Sequence, residues 1–263
     1  MTLNRLLIIW ICVSALLGGT ADGQWISYPS PATPRLRNGR PNLAAPTPRT
    51  TDGKPDLSGI WSRIRYIGAG RGDGLSDLAN YLPAGTSIPF LPWAADLTRQ
   101  RLAMSGAGLP SERCLPKTFP NQMMIADPIQ IVQGPAFTLV LFEELNHFRQ
   151  IMTDGRTHPA DRNPTWFGYS VGRWDGDTMV VDTLGFRDQM WLDGTGHPST
   201  ERLRVTERYQ RRNFGHLDVE LTFDDSGAYT RPWTVRFAFE LLPDTSLLEF
   251  VCENNKWVPP DTR

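Results

Sequence analysis

The sequence predicts an all-β chain: an antiparallel, up-and-down barrel of about 8–10 strands, with one short helix and a long insertion in its N-terminal half. Three observations carry this. Short runs of alternating apolar and polar residues succeed one another from residue 129 to residue 253, with turn residues between them. Residues 165–186, TWFGYSVGRWDGDTMVVDTLGF, form two such runs joined at Asp175-Gly176. Asp-Gly between alternating runs is a strong hairpin signal, because a type I′ turn needs positive φ at both central residues. Helical spacing is clear only over residues 93–104, after Pro92 and before Gly106, with Trp93, Leu97 and Met104 on one face.

Residues 1–21 read as a secretory signal peptide. Arg5 gives a basic start, residues 6–17 are apolar, and Gly19-Thr20-Ala21 is a small-residue cleavage site. The apolar run has 12 residues, short of the roughly 20 needed to span a bilayer. The alternative is a retained N-terminal anchor. Loss of residues 1–21 removes one Arg and no acid, so the formal charge moves from −1 to −2. There is no basic block, which argues against nucleic acid or an anionic membrane surface as partner. After signal removal no apolar run long enough for a transmembrane segment remains, and export points to a secreted or periplasmic chain.

Residues 22–54 are rich in Pro and lack apolar periodicity, as in an extended arm. The barrel domain is assigned to residues 55–263, a length ordinary for a single β-domain. Its first strand opens at Gly59-Ile60-Trp61 and alternates to Ile67. Residues 68–91 are Gly- and Pro-rich, a long excursion over one mouth of the fold. The remaining strands are expected at 129–133, 137–144, 148–152, 166–174, 177–183, 202–212, 217–223, 233–241 and 247–253. Cys12 leaves with the signal; Cys114 and Cys252 are an even pair in an oxidising compartment and are expected to form a disulfide. Closing a loop of that length is worth roughly 4–5 kcal/mol in the loop-entropy picture. Two buried free thiols are the alternative.

An isolated Gly-x-Trp on the first strand, followed by consecutive antiparallel strands, resembles the lipocalin-like, or calycin, barrels. The strings DGKPDLSGIW (52–61), TDGRTHP (153–159), the hairpin at 165–186 and GHPSTERLRVTERY (196–209) are similar to a functionally uncharacterised family of secreted bacterial proteins. The resemblance implies a barrel mouth holding a small molecule and transfers no catalytic residues.

Chemistry is expected around the 165–186 hairpin. On its first strand one face reads Trp166, Gly168, Ser170, Gly172, Trp174, leaving room beside small residues; tight packing is the alternative. Ser170 fits the letters Gly-x-Ser-x-Gly, but a nucleophile elbow needs a strand-to-helix turn and here a strand continues. The loop before the hairpin carries Asp154, Arg156 and His158; the loop after it carries Asp188, Trp191, Asp193, His197 and Glu201. If both loops share a mouth, His158 or His197, oriented by Asp188, Asp193 or Glu201, could act as general base. Trp166, Ser170, Trp191, Arg156 and Arg231 are the candidate ligand contacts. Asp154 and Asp193 also suit turns, and loop histidines beside Pro also suit solvent. Metal-ligand spacings and cofactor fingerprints are absent, so no metal and no cofactor is expected. Two functions stay open: a barrel that binds a largely apolar small molecule with one polar end, or a cofactor-independent acid–base enzyme. A structural envelope protein is a third.

Overall fold

The computed structural model describes residues 28–64, 76–104, 107–113, 115–125, 127–188, 190–253 and 256–257. The expected signal peptide, and Cys114 with the side chain of Cys252, lie outside these.

Nine strands close into one barrel in chain order. They are β1 (Gly59–Arg63), β2 (Ile129–Gln133), β3 (Phe137–Phe142), β4 (His147–Met152), β5 (Tyr169–Asp175), β6 (Thr178–Leu184), β7 (Arg204–Asn213), β8 (His216–Asp224) and β9 (Trp233–Leu241). β1 pairs with both β2 and β9, which leaves no open edge. A closed ring of nine cannot alternate direction throughout, so one neighbouring pair must be parallel. That pair is β4–β5, through Ile151↔Ser170 and Met152↔Val171. The other eight neighbouring pairs are antiparallel, as the sequence predicts. The parallel step needs a crossover, and residues 153–168 supply it across the outer wall. Residues 247–253, expected as a further strand, do not join the barrel. Glu143 and Asn146 hold this stretch by its backbone, and only Cys252–Glu253 is extended, as β10, pairing with β11 (Lys256–Trp257).

The β5–β6 hairpin forms, displaced by one residue from the Asp-Gly expectation. Asp175 pairs with Thr178, so the turn is Gly176-Asp177, and only Gly176 has positive φ. This is the Gly-first class of two-residue loop rather than type I′. Helix α1 (Pro92–Ala103) starts with Pro in its first turn, where a missing N–H costs nothing. Its packed face is Ala94, Leu97, Thr98 and Arg101, while Trp93 and Met104 are exposed. The expected Trp93–Leu97–Met104 face is therefore corrected: small Ala94 sets the close approach.

The barrel has two ends. One carries the described residues of the connections 64–128, 143–146, 185–203 and 225–232. The other, the base, is covered by residues 28–58. The Pro-rich arm is pinned there: Phe214 and Gly215 donate backbone N–H groups to Ala45 and Leu43 at 2.8 Å each, Arg35 pairs with Asp244 at 2.7 Å, and Arg49 with Asp177 at 2.6 Å. At the base, Trp61 is fully buried and donates its indole N–H to the Leu57 carbonyl at 3.1 Å. Arg211 lies over its ring at 4.9 Å. The glycine two residues before Trp61 is required: Gly59 has φ +144°, and a Cβ there would collide with Leu241 on the closing strand. Gly59→Ala is therefore expected to lower the urea unfolding free energy by about 1–3 kcal/mol; an unchanged midpoint would show that the Leu241 side chain moves aside and that the backbone at 59 is not strained.

Candidate functional site

The mouth opposite the base is stoppered by protein. Residues 190–199 are all buried, as are residues 118–124. Buried connections must satisfy their own backbone polar groups, and here one side chain does much of that. Asp193, at 0% exposure, accepts at Oδ1 from Thr195 Oγ1 (2.9 Å), the Gly196 N–H (2.9 Å) and the His197 N–H (3.1 Å). At Oδ2 it accepts from the Leu78 N–H at 2.8 Å and from His197 Nδ1 in a very short contact. Asp193 thus bends its own loop and ties it to the insertion. Ser76 adds a second tie, accepting from the Gly194 N–H at 2.9 Å and donating to Asn121 at 3.0 Å.

The two groups shift in opposite directions. Burial alone would push the His197 imidazole below its ordinary pKa, but the charge and hydrogen bond of Asp193, and the charge of Asp77, raise it. Burial would raise the Asp193 carboxyl; the charge of His197 and the donated N–H groups pull it down instead. The donor atoms of Asp77, Asp193 and His197 lie within 4.8 Å of one another, a spacing compatible with a metal. However, Asp193 already receives five hydrogen bonds on about four lone-pair sites. A metal would have to break the loop to bind, so the chemistry of the donor set does not fit one.

Beneath this stopper the bore is solid. Trp61, Phe119, Phe142, Phe237 and Phe239 are exposed by 2% or less. At its centre is a buried ion pair on facing strands, Arg149 of β4 and Glu207 of β7, with Arg149 Nη1 donating to Glu207 Oε2 at 2.8 Å. Ser170 and Thr183 accept from Arg149 at 2.8 and 2.7 Å, and the Tyr209 hydroxyl donates to Glu207 at 2.6 Å. The Phe119 ring caps the guanidinium at 4.0 Å. Burial opposes the charge of Arg149, but Glu207 outweighs it and the pKa is raised. Sequence reading found Ser170 but not its partners. The signal was strand parity: Arg149 is in step with inward Ile151, and Glu207 with Val205 and Tyr209.

The crossover places the other candidates apart. His158 sits on the outer wall; its Nε2–H donates to the Asp182 carbonyl at 3.0 Å, and its Nδ1 is 3.9 Å from the Asp182 carboxylate. Asp154 and Arg156 pair with each other at 2.6 Å, exposed near the base. The two loops flanking the hairpin therefore do not converge: His158 and Arg156 do not join His197. Trp166 lies under Arg187, 5.7 Å from its ring. Trp191 is 7% exposed, with Arg101 over its ring at 4.5 Å. Arg231 is exposed at the entry to β9.

Asp188 and Glu201 do come together, lining a cleft of about 670 Å³ between α1 and the 185–203 loop, with Trp93, Leu97, Arg101 and Ser199. The Ser199 hydroxyl is buried and has no hydrogen-bond partner. Arg101 donates to the Gly196 carbonyl at 2.9 Å, so the cleft floor is continuous with the stopper. Comparison with known proteins returns neither a matching family model nor a matching curated protein. The likeness to lipocalin-like barrels rests on the closed barrel itself.

Asp193 stabilises the fold fully above its unfolded value of 3.8 and loses this as pH falls through its depressed folded value. His197 stabilises fully below its unfolded value of 6.5 and loses this as pH rises through its raised folded value. The clamp is complete between those unfolded values. Urea midpoints are expected to fall as pH rises above that window, and His197→Gln to flatten that limb; an equal fall in the variant would remove His197 as the cause.

Proposed function

We propose that this chain is a secreted or periplasmic binding protein that takes a small molecule, apolar along its body and polar at one end, in the cleft beside α1 rather than inside the barrel. One observation carries the reading: side chains and the stopper fill the bore, while the rim cleft has the size of an ordinary small-molecule site, about 300–1,000 Å³. Its walls suit such a ligand. Trp93 and Leu97 offer apolar surface, and Arg101, Asp188 and Glu201 offer charge. The apolar leader at residues 1–21 and the Cys114/Cys252 pair support an exported chain. Acid–base catalysis by His197 is the weaker reading, because a general base must be within reach of substrate, whereas this imidazole is buried and already hydrogen-bonded to Asp193.

Native mass spectrometry tests the proposal on the mature protein purified undenatured from its host. The expected result is an excess mass from a small amphiphile, weakened about tenfold or more in Trp93→Ala/Leu97→Ala. An excess mass undiminished in the variant, or a bare chain that binds no small amphiphile in a Trp93-dependent way, would overturn it.

A further inference from the structure

A second cavity, of about 440 Å³, lies at the base between the pinned arm and the barrel. Its walls are mainly apolar, including Ile60, Phe214 and Leu241, with Ala32 of the arm as part of the roof. One wall residue is Arg211, a cation only 5% exposed.

The company Arg211 keeps is unusual for a buried cation. No carboxylate lies within 4.0 Å of it among the described residues. It is held by carbonyl oxygens instead. Nη1 donates to Asp56 and Ser58, Nε is shared between Asn213 and Phe214, and Nη2 donates to Phe214. A guanidinium has five N–H groups, so this leaves one Nη2–H without a carbonyl. Asp56 also lines the cavity, beyond ion-pair distance, with Oδ1 occupied by the Ser58 N–H at 2.8 Å. Carbonyl dipoles hold the guanidinium in place without cancelling its charge, and burial depresses its pKa to about 10, only partly opposed by Asp56.

We infer that this base cavity is a binding site for a small aliphatic monocarboxylate, whose anionic head takes the remaining Arg211 N–H and whose chain lies along Ile60, Phe214 and Leu241. An anion there supplies the charge that the carbonyls lack, through a charge-assisted hydrogen bond to a cation that is itself almost fully buried. Asp56 on the same cavity disfavours a second negative charge, so a monoanion is preferred to a dianion. The site is separate from the rim cleft and does not depend on it.

The probes are hexanoate, hexan-1-ol and adipate, titrated calorimetrically into the mature chain carrying Trp93→Ala/Leu97→Ala, so that the rim cleft does not contribute. Hexanoate is expected to bind one to one, with hexan-1-ol and adipate each about tenfold or more weaker. Because Arg211 also buttresses Trp61, its substitution could unfold the base. The decisive variant is therefore Ala32→Trp, which fills the cavity from the arm. In that background it should abolish hexanoate binding. Equal binding of hexan-1-ol would reduce the cavity to an apolar hole and overturn the inference. So would hexanoate binding that survives Ala32→Trp, or no binding at all.

Discussion

The carboxylate of Asp193 is hidden from water inside a connection that is itself buried, and the closure of the barrel mouth depends on it. A connection laid into a protein interior brings N–H groups that water can no longer satisfy, each costing about 1–3 kcal/mol if left alone. Asp193 accepts from the N–H groups of Gly196, His197 and Leu78 at once, so one side chain satisfies two segments far apart in sequence. That gathering of donors calls for a negative charge, and a negative charge at this depth calls for His197 beside it. The imidazole singled out in the sequence is thus part of the clamp that closes the mouth.

The closed mouth changes what the barrel offers a ligand. With residues 118–124 and 190–199 buried over the bore and Phe119 seated on Arg149, the inward strand faces are a core. The ion pair between Arg149 and Glu207, with Ser170, Thr183 and Tyr209 around it, uses the small-residue face of β5 for its own hydrogen bonds. Space for small molecules is displaced to the two rims. At one, α1 meets the 185–203 loop; at the other, the Pro-rich arm roofs the base beside Arg211. The two rims share a logic: a segment outside the barrel is tied down by an arginine that packs on a Trp ring and donates to backbone carbonyls, Arg101 on Trp191 and Arg211 on Trp61.

Much of the barrel is legible in the sequence because strand alternation is a local signal. The bounds of β2 and β9 are those the pattern gives, and Gly59 and Trp61 stand where the first strand meets the last. The parallel β4–β5 step was not legible, since strand direction follows from closing an odd ring and no local pattern encodes it. That step also separates His158 and Arg156 from His197, so a site that assumed neighbouring loops could not survive it. Asp193 was singled out for the right loop, but its saturation by five donors depends on Leu78, more than a hundred residues away in sequence. Arg149 and Glu207 could have been found by extending strand parity to charged residues.

Amide hydrogen exchange at Leu78, Gly196 and His197 tests the clamp most directly, because these N–H groups end on the Asp193 carboxylate, Gly196 sharing its N–H with the Asp193 backbone carbonyl. If Asp193 seals the mouth, the three amides exchange only when the barrel unfolds, with the same opening free energy as the β7 amides of Val205 and Tyr209. Exchange at least about a hundredfold faster than in β7, with the strands still protected, would mean that the mouth opens on its own and that the bore, rather than the rim, is where a ligand enters.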